Sequence, residues 1–110
     1  MKKFKYAFTG LINVLKDKSV ITQVILGILA IIGGLIIKLD FYEWLIFILC
    51  IVMVISSEIF NFVIEKISDY LSKEYDDRIK VIKDASAAAT LVLCIGALAI
   101  CILVLIRRYI

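Results

Sequence analysis

The sequence predicts an all-α membrane protein: an N-terminal amphipathic helix lying in the membrane interface, followed by three transmembrane helices. Three observations predict it. Of the 110 residues, 64% are hydrophobic and the mean hydropathy is +1.07, whereas soluble domains are nearer half apolar. The excess sits in three long runs, each near the roughly 20 residues that cross a bilayer as a helix. The Lys and Arg residues sit at or beyond the ends of those runs.

The length fits one domain, residues 1–110. Residues 1–18 form the interfacial segment. Phe4, Ala7, Phe8, Leu11, Ile12 and Leu15 recur at three- and four-residue steps, which places them on one side of a helix, and Lys2, Lys3, Lys5 and Lys16 supply cations for anionic headgroups. Lys16-Asp17-Lys18 interrupts the apolar stretch, and no small-residue cleavage site follows, so the segment is not expected to be a cleaved signal peptide. The first span is 20–37, with Thr22 and Gln23 its strongly polar members and Gly33-Gly34 suited to close helix contact. Phe41, Tyr42 and Trp44 fit an interfacial belt before the second span, 44–67. Residues 68–83 read as a charged cytoplasmic loop, and 85–106 as the third span, ending on Arg107-Arg108.

Lys and Arg in short loops set orientation. Lys2, Lys3, Lys5, Lys16 and Lys18 precede the first span, Lys73, Arg78, Lys80 and Lys83 lie between the second and third, and the first turn has only Lys38. The N-terminus and the 68–83 loop are therefore expected in the cytoplasm, at the inner (cytoplasmic) membrane, with Arg107 and Arg108 against the rule.

With no His, His catalysis and His metal ligation are excluded. Cys50, Cys94 and Cys101 lie in apolar runs without paired spacing and read as packing or lipid-facing residues. The net charge of +3 comes from residues that flank spans, not from a basic face with aromatic platforms, so no nucleic-acid partner is expected.

The second span carries the chemistry. An ionised carboxylate deep in a membrane helix costs roughly 2.5 kcal/mol or more, yet this span contains Glu58, Asn61 and Glu65, with Asp69 just beyond. Steps of three, four and four place the set within an arc of roughly 80° on a helix. The plain alternative is a polar clamp between helices. A stripe of acids descending into the membrane looks more like a path or a reaction site. Lys83-Asp84 precedes the small-residue run Ala85-Ser86-Ala87-Ala88-Ala89. At a helix start, that Lys would stand beside unsatisfied N–H groups, a good phosphate site, or else serve as a topological anchor with Asp84 as a cap. Together the parts suit phosphoryl transfer, which needs a base near an alcohol, a metal bridging phosphates and cations on the transferred group. A carboxylate shielded from water suits the base, and one nearer the surface suits Mg²⁺. There is no Walker A loop or kinase-type Gly-rich loop.

Glu58-Ile59-Phe60-Asn61-Phe62-Val63-Ile64-Glu65-Lys66-Ile67-Ser68-Asp69, followed by Lys83-Asp84 and Ala88-Ala89, resembles the signature of the prokaryotic diacylglycerol kinase family, which includes the undecaprenol kinases of Gram-positive bacteria. The resemblance covers nearly the whole chain. It implies an ATP-dependent membrane lipid kinase working as a homotrimer with sites shared between subunits. It implies Glu58 as general base, Asn61 in support, and Glu65 on the Mg²⁺ of MgATP. Asp69, Glu74, Tyr75, Lys83 and Asp84 would hold the nucleotide, Lys83 on its phosphates, with Tyr6 as a further ATP contact. Asp76 stands where a His is usual, and Thr22 where an Arg is common. Lys18 stands where the family carries a second metal-binding Glu, and Asp17 beside it is the expected substitute ligand. Lys80-Val81-Ile82-Lys83-Asp84 looks more like the Gram-positive members, which favours undecaprenol over diacylglycerol as acceptor. Two other classes compete. A proton-coupled multidrug-type transporter would have four spans, against three here. A holin-like or scaffold protein would not require the acid–amide–lysine set.

Overall fold

The computed structural model describes residues 2–110, and they form four helices: α1 (Lys2–Val14), α2 (Lys18–Ile37), α3 (Phe41–Leu71) and α4 (Asp77–Tyr109). Three of them, α2, α3 and α4, are long and apolar enough to cross a membrane. Three aspartates mark the helix starts. The Asp17 carboxylate accepts from the N–H groups of Ser19 and Val20 and opens α2; Asp40 and Glu43 make a reciprocal capping box on α3; and Asp76 accepts from the Arg78 N–H and opens α4. Each satisfies backbone donors that a helix start leaves without partners. Asp17 also sets the end of α1. The Lys16 and Asp17 N–H groups close three-residue bonds onto the Asn13 and Val14 carbonyls, and the interfacial helix expected within residues 1–18 ends at Val14.

The expected 68–83 loop is corrected by the structure. α3 runs on to Leu71 and α4 begins at Asp77, leaving 72–76 as the connection. Charge in this stretch ends the apolar pattern but not the helix, because a solvated helix needs only local hydrogen bonds and caps. At 1.5 Å per residue the 33 residues of α4 extend about 50 Å, well past a hydrocarbon layer of roughly 30 Å.

α3 is the central helix: α4 packs along it most extensively and α2 packs on its other flank. Gly34 permits one close approach, since a Cβ there would sit 2.8 Å from both Leu39 and Trp44 side-chain atoms. Gly33, expected to share that role, faces open space. The apolar residues buried within one chain are few, Val14, Val20, Leu39 and Phe47, and most Leu, Ile and Phe side chains point outward. Such a surface needs lipid or neighbouring helices around it.

At the end opposite the 72–76 connection, the Arg108 guanidinium pairs with Glu43 and donates to the carbonyls of Ile37 and Lys38. Lys38 adopts a left-handed backbone, φ 58°, where α2 ends. Arg108 therefore ties together the end of α2, the start of α3 and the end of α4, and Glu43 balances its charge. This gives the C-terminal arginine a structural reason that loop charge counting misses. Arg108→Ala should lower the melting temperature, since it strands a half-buried Glu43 and uncapped carbonyls. Thermal melts in detergent, followed by circular dichroism, test this; an unchanged melt would make the knot incidental.

Candidate active site

The acid stripe on α3 faces α4 and runs from buried to exposed. Glu58 is 8% exposed, Asn61 and Glu65 are half-buried, and Asp69 is exposed. The helical repeat puts these residues on one face, and three cross-links to α4 hold that face in register. Thr90 donates to the Ser57 carbonyl at 3.3 Å, Ser86 donates to Asn61 Oδ1 at 2.7 Å, and the Lys83 ammonium donates to Asp69 at 2.6 Å. Asn61 in turn directs its amide toward Glu65 at 3.4 Å. Ser86 thus fixes which way the Asn61 amide points, and Asn61 orients Glu65. Ser86 and Thr90 were not singled out from the sequence. Their signal was weak, a hydroxyl at each end of an alanine run, and only the α3–α4 register gives them roles.

Glu58 has a further neighbour on α2. Gln23 lies near its carboxyl and directs its amide to the Cys94 sulfur on α4 at 3.9 Å. Asp17 and Glu65 are the carboxylates whose charges bear on it. Asp17 is half-buried while Lys18 is exposed, so at this helix start the acid is the more enclosed of the two. Asp17 spends Oδ2 on the N-cap, and its Oδ1 makes no hydrogen bond among the described residues.

Above the stripe, at the turn between α3 and α4, lies a cleft of about 570 Å³. It gathers Asp69, Glu74, Tyr75, Lys83 and Asp84, five positions expected from the sequence to meet a nucleotide. Ser72 shapes its rim by donating to the Glu74 carbonyl and accepting from the Glu74 N–H. Arg78 beside Asp76 holds that carboxyl below its usual range, and a hydrogen bond with Asp77 pushes the Tyr75 phenol up. Asp76 therefore remains an anion that caps α4. Asp84 pairs with Lys80 at 2.6 Å.

Two expectations change. Lys83 does not stand at a helix start: α4 begins six residues earlier, so the helix-end N–H groups belong to the 77–79 turn and Lys83 acts through its ammonium alone. Tyr6 is exposed on α1, which buries only Val14, and a single chain does not bring it to the cleft.

Among the described residues no three acids or thiols converge as a metal cage. Mg²⁺ needs no such cage: it keeps several waters and is commonly held by one or two carboxylates plus substrate phosphates. The half-buried, Asn61-oriented Glu65, with Asp17 as the second donor, would be its ligands here.

Neither a curated protein nor a solved structure matches the chain. The family model described as prokaryotic diacylglycerol kinase matches residues 5–105, which takes in α2, the whole stripe, the cleft and nearly all of α4. With that match across almost its full length, the chain belongs to the prokaryotic diacylglycerol kinase family and is a multi-pass membrane lipid kinase.

Proposed function

We propose that the protein transfers the γ-phosphate of MgATP to undecaprenol, on the cytoplasmic side of the inner membrane, as a homotrimer. The observation that carries the reading is the continuity of the site: a polar cleft suited to a nucleotide stands directly over an acid stripe that ends at a buried carboxylate. A water-borne donor and a bilayer-borne acceptor meet most economically at such a junction.

Each residue then has a task. Lys83 leaves Asp69 to meet the phosphates, and the Glu74–Tyr75 turn with Asp84 lines the rest of the nucleotide cleft. Glu65 and Asp17 would hold Mg²⁺, which would supply neutralisation of the phosphate charge. Glu58, shielded from water, accepts the proton of the lipid hydroxyl as its oxygen attacks the γ-phosphorus and the bond to the departing ADP breaks. Asn61, anchored by Ser86, holds the base-to-metal spacing. Tyr6 and the exposed apolar surface belong to the assembled trimer, in which a neighbouring chain's α1 would complete the nucleotide site.

Lys83→Met should raise the KM for ATP about tenfold or more, the weight of one charge-assisted bond, with the lipid KM little changed. Steady-state titration of both substrates checks this, and an unchanged ATP KM would leave Lys83 as the partner of Asp69. Asp17→Asn should lower activity and recover partly in high Mg²⁺, whereas Lys18→Glu should raise it by adding a ligand at the neighbouring position. Because Asp17 also caps α2, helicity is measured alongside; a silent Asp17→Asn would remove it from the metal site. The acceptor is tested by competition in mixed vesicles holding equal undecaprenol and diacylglycerol. Preferential phosphorylation of undecaprenol is expected, and preference for diacylglycerol would replace the acceptor while keeping the chemistry.

A further inference from the structure

The end of the molecule opposite the nucleotide site has a cleft of its own, between the start of α3 and the end of α4. It holds about 560 Å³, within the range of small-molecule sites. Its rim is polar, and Ile46 and Val104 form an apolar floor. Phe41, Tyr42 and Trp44 stand at the same end, and such aromatics mark the depth of lipid headgroups. From Phe41 to Glu58 is about 25 Å along α3, so this cleft is separate from the reaction site.

Two of its four charges are spent on each other. Glu43 pairs with Arg108, which also donates to the carbonyls of Ile37 and Lys38. The other two are Asp40 and Arg107. Asp40 gives Oδ1 to the Glu43 N–H at 2.9 Å, and its Oδ2 accepts no hydrogen bond among the described residues. Arg107 is exposed and makes no ion pair among the described residues. An unspent carboxylate oxygen and an unspent guanidinium therefore line one cleft without meeting. Held apart, they suit a molecule that brings the opposite charge to each.

We propose that this cleft seats the headgroup of a zwitterionic phospholipid bearing a primary ammonium, with the phosphate on Arg107 and the ammonium on Asp40. The inference is independent of the kinase reading. A guanidinium can meet a phosphate through two parallel N–H donors, and the Tyr42 phenol is a further donor in the same cleft. Charge complementarity selects the occupant. An anionic headgroup such as that of phosphatidylglycerol satisfies Arg107 but brings like charge to Asp40. A choline headgroup carries a cation with no N–H to give to the Asp40 oxygen. A water-soluble zwitterion uses the rim and leaves Ile46 and Val104 without a partner, whereas a phospholipid lays the first carbons of its acyl chains on that floor. Seated there, the lipid bridges the start of α3 and the end of α4, the two ends that Glu43 and Arg108 already join, and so adds to their stability.

The test is native mass spectrometry of the full chain in neutral detergent. The protein is titrated with phosphatidylethanolamine, phosphatidylcholine or phosphatidylglycerol of matched acyl chains. Phosphatidylethanolamine should be retained at about tenfold lower concentration than the other two, the weight of one hydrogen bond to a charged group. Arg107→Gln and Asp40→Asn should each erase that preference. Asn still caps a helix start, and circular dichroism checks that both variants keep their helicity. Phosphatidylethanolamine should also raise the melting temperature of the unmodified protein but not of either variant. Equal retention of the three lipids would overturn the proposal, as would a preference for phosphatidylglycerol or a phosphatidylethanolamine preference that survives both substitutions. Free phosphoethanolamine at the same concentration should displace no lipid, and displacement by it would overturn the assignment to a lipid. Loss, in either variant and at unchanged helicity, of an assembly that the unmodified protein forms would make the occupant a second copy of this chain and overturn the proposal.

Discussion

Glu58→Gln should abolish lipid phosphorylation while the protein keeps its helicity, its assembly and its ATP binding. The carboxylate is buried at the inner end of the stripe, with Gln23 beside it and no cation paired to it among the described residues. Gln preserves the size of the side chain and its capacity to hydrogen-bond. It removes the capacity to accept a proton, and the loss of a general base is worth typically 10²–10⁴ in rate. A structural clamp would behave otherwise, because an amide satisfies the same neighbours and spares the burial of an acid. Single-turnover transfer from ATP, measured beside nucleotide affinity, separates the two. Near-normal transfer in the variant would return Glu58 to a packing role.

Glu65→Ala is expected to have the second largest effect. Its half-buried carboxylate is oriented by Asn61, and through it by Ser86 on α4, so the helices hold it in place before any ligand arrives. On the proposed assignment, removing it leaves Asp17, which already commits one oxygen to the α2 cap, as the other carboxylate donor. The Mg²⁺ needed for half-maximal rate should rise by an order of magnitude or more, the usual weight of a ligand or its direct support. Part of the rate should return at high Mg²⁺. An unaltered metal titration would assign the ion elsewhere.

The parts of the fold and site that were legible in the sequence were those encoded by periodicity. Three apolar runs became three long helices, and steps of three and four became one polar face on α3. The parts that were not legible depend on ends and on register. Asp76 reads in the sequence as a departure at a position where a His is usual; in the fold it is the cap that starts α4 and moves Lys83 into the body of the helix. Gln23, Ser86 and Thr90 are ordinary polar residues in apolar runs until packing sets them against Glu58, Asn61 and Ser57. Arg108 counts against the topology until Glu43 and the end of α2 are seen to use it. Local pattern fixes which residues share a face; which face meets which follows only from the whole packing.

The central claim is that the buried carboxylate under the α3–α4 cleft serves phosphoryl transfer to a lipid. The most direct measurement incubates the purified protein in vesicles containing undecaprenol with γ-³²P-labelled ATP and Mg²⁺, and extracts the lipid. The account predicts label in an undecaprenyl phosphate band that requires Mg²⁺ and disappears in Glu58→Gln. Extracted lipid without label, over a panel of lipid alcohols that includes diacylglycerol and with nucleotide binding intact, would contradict it.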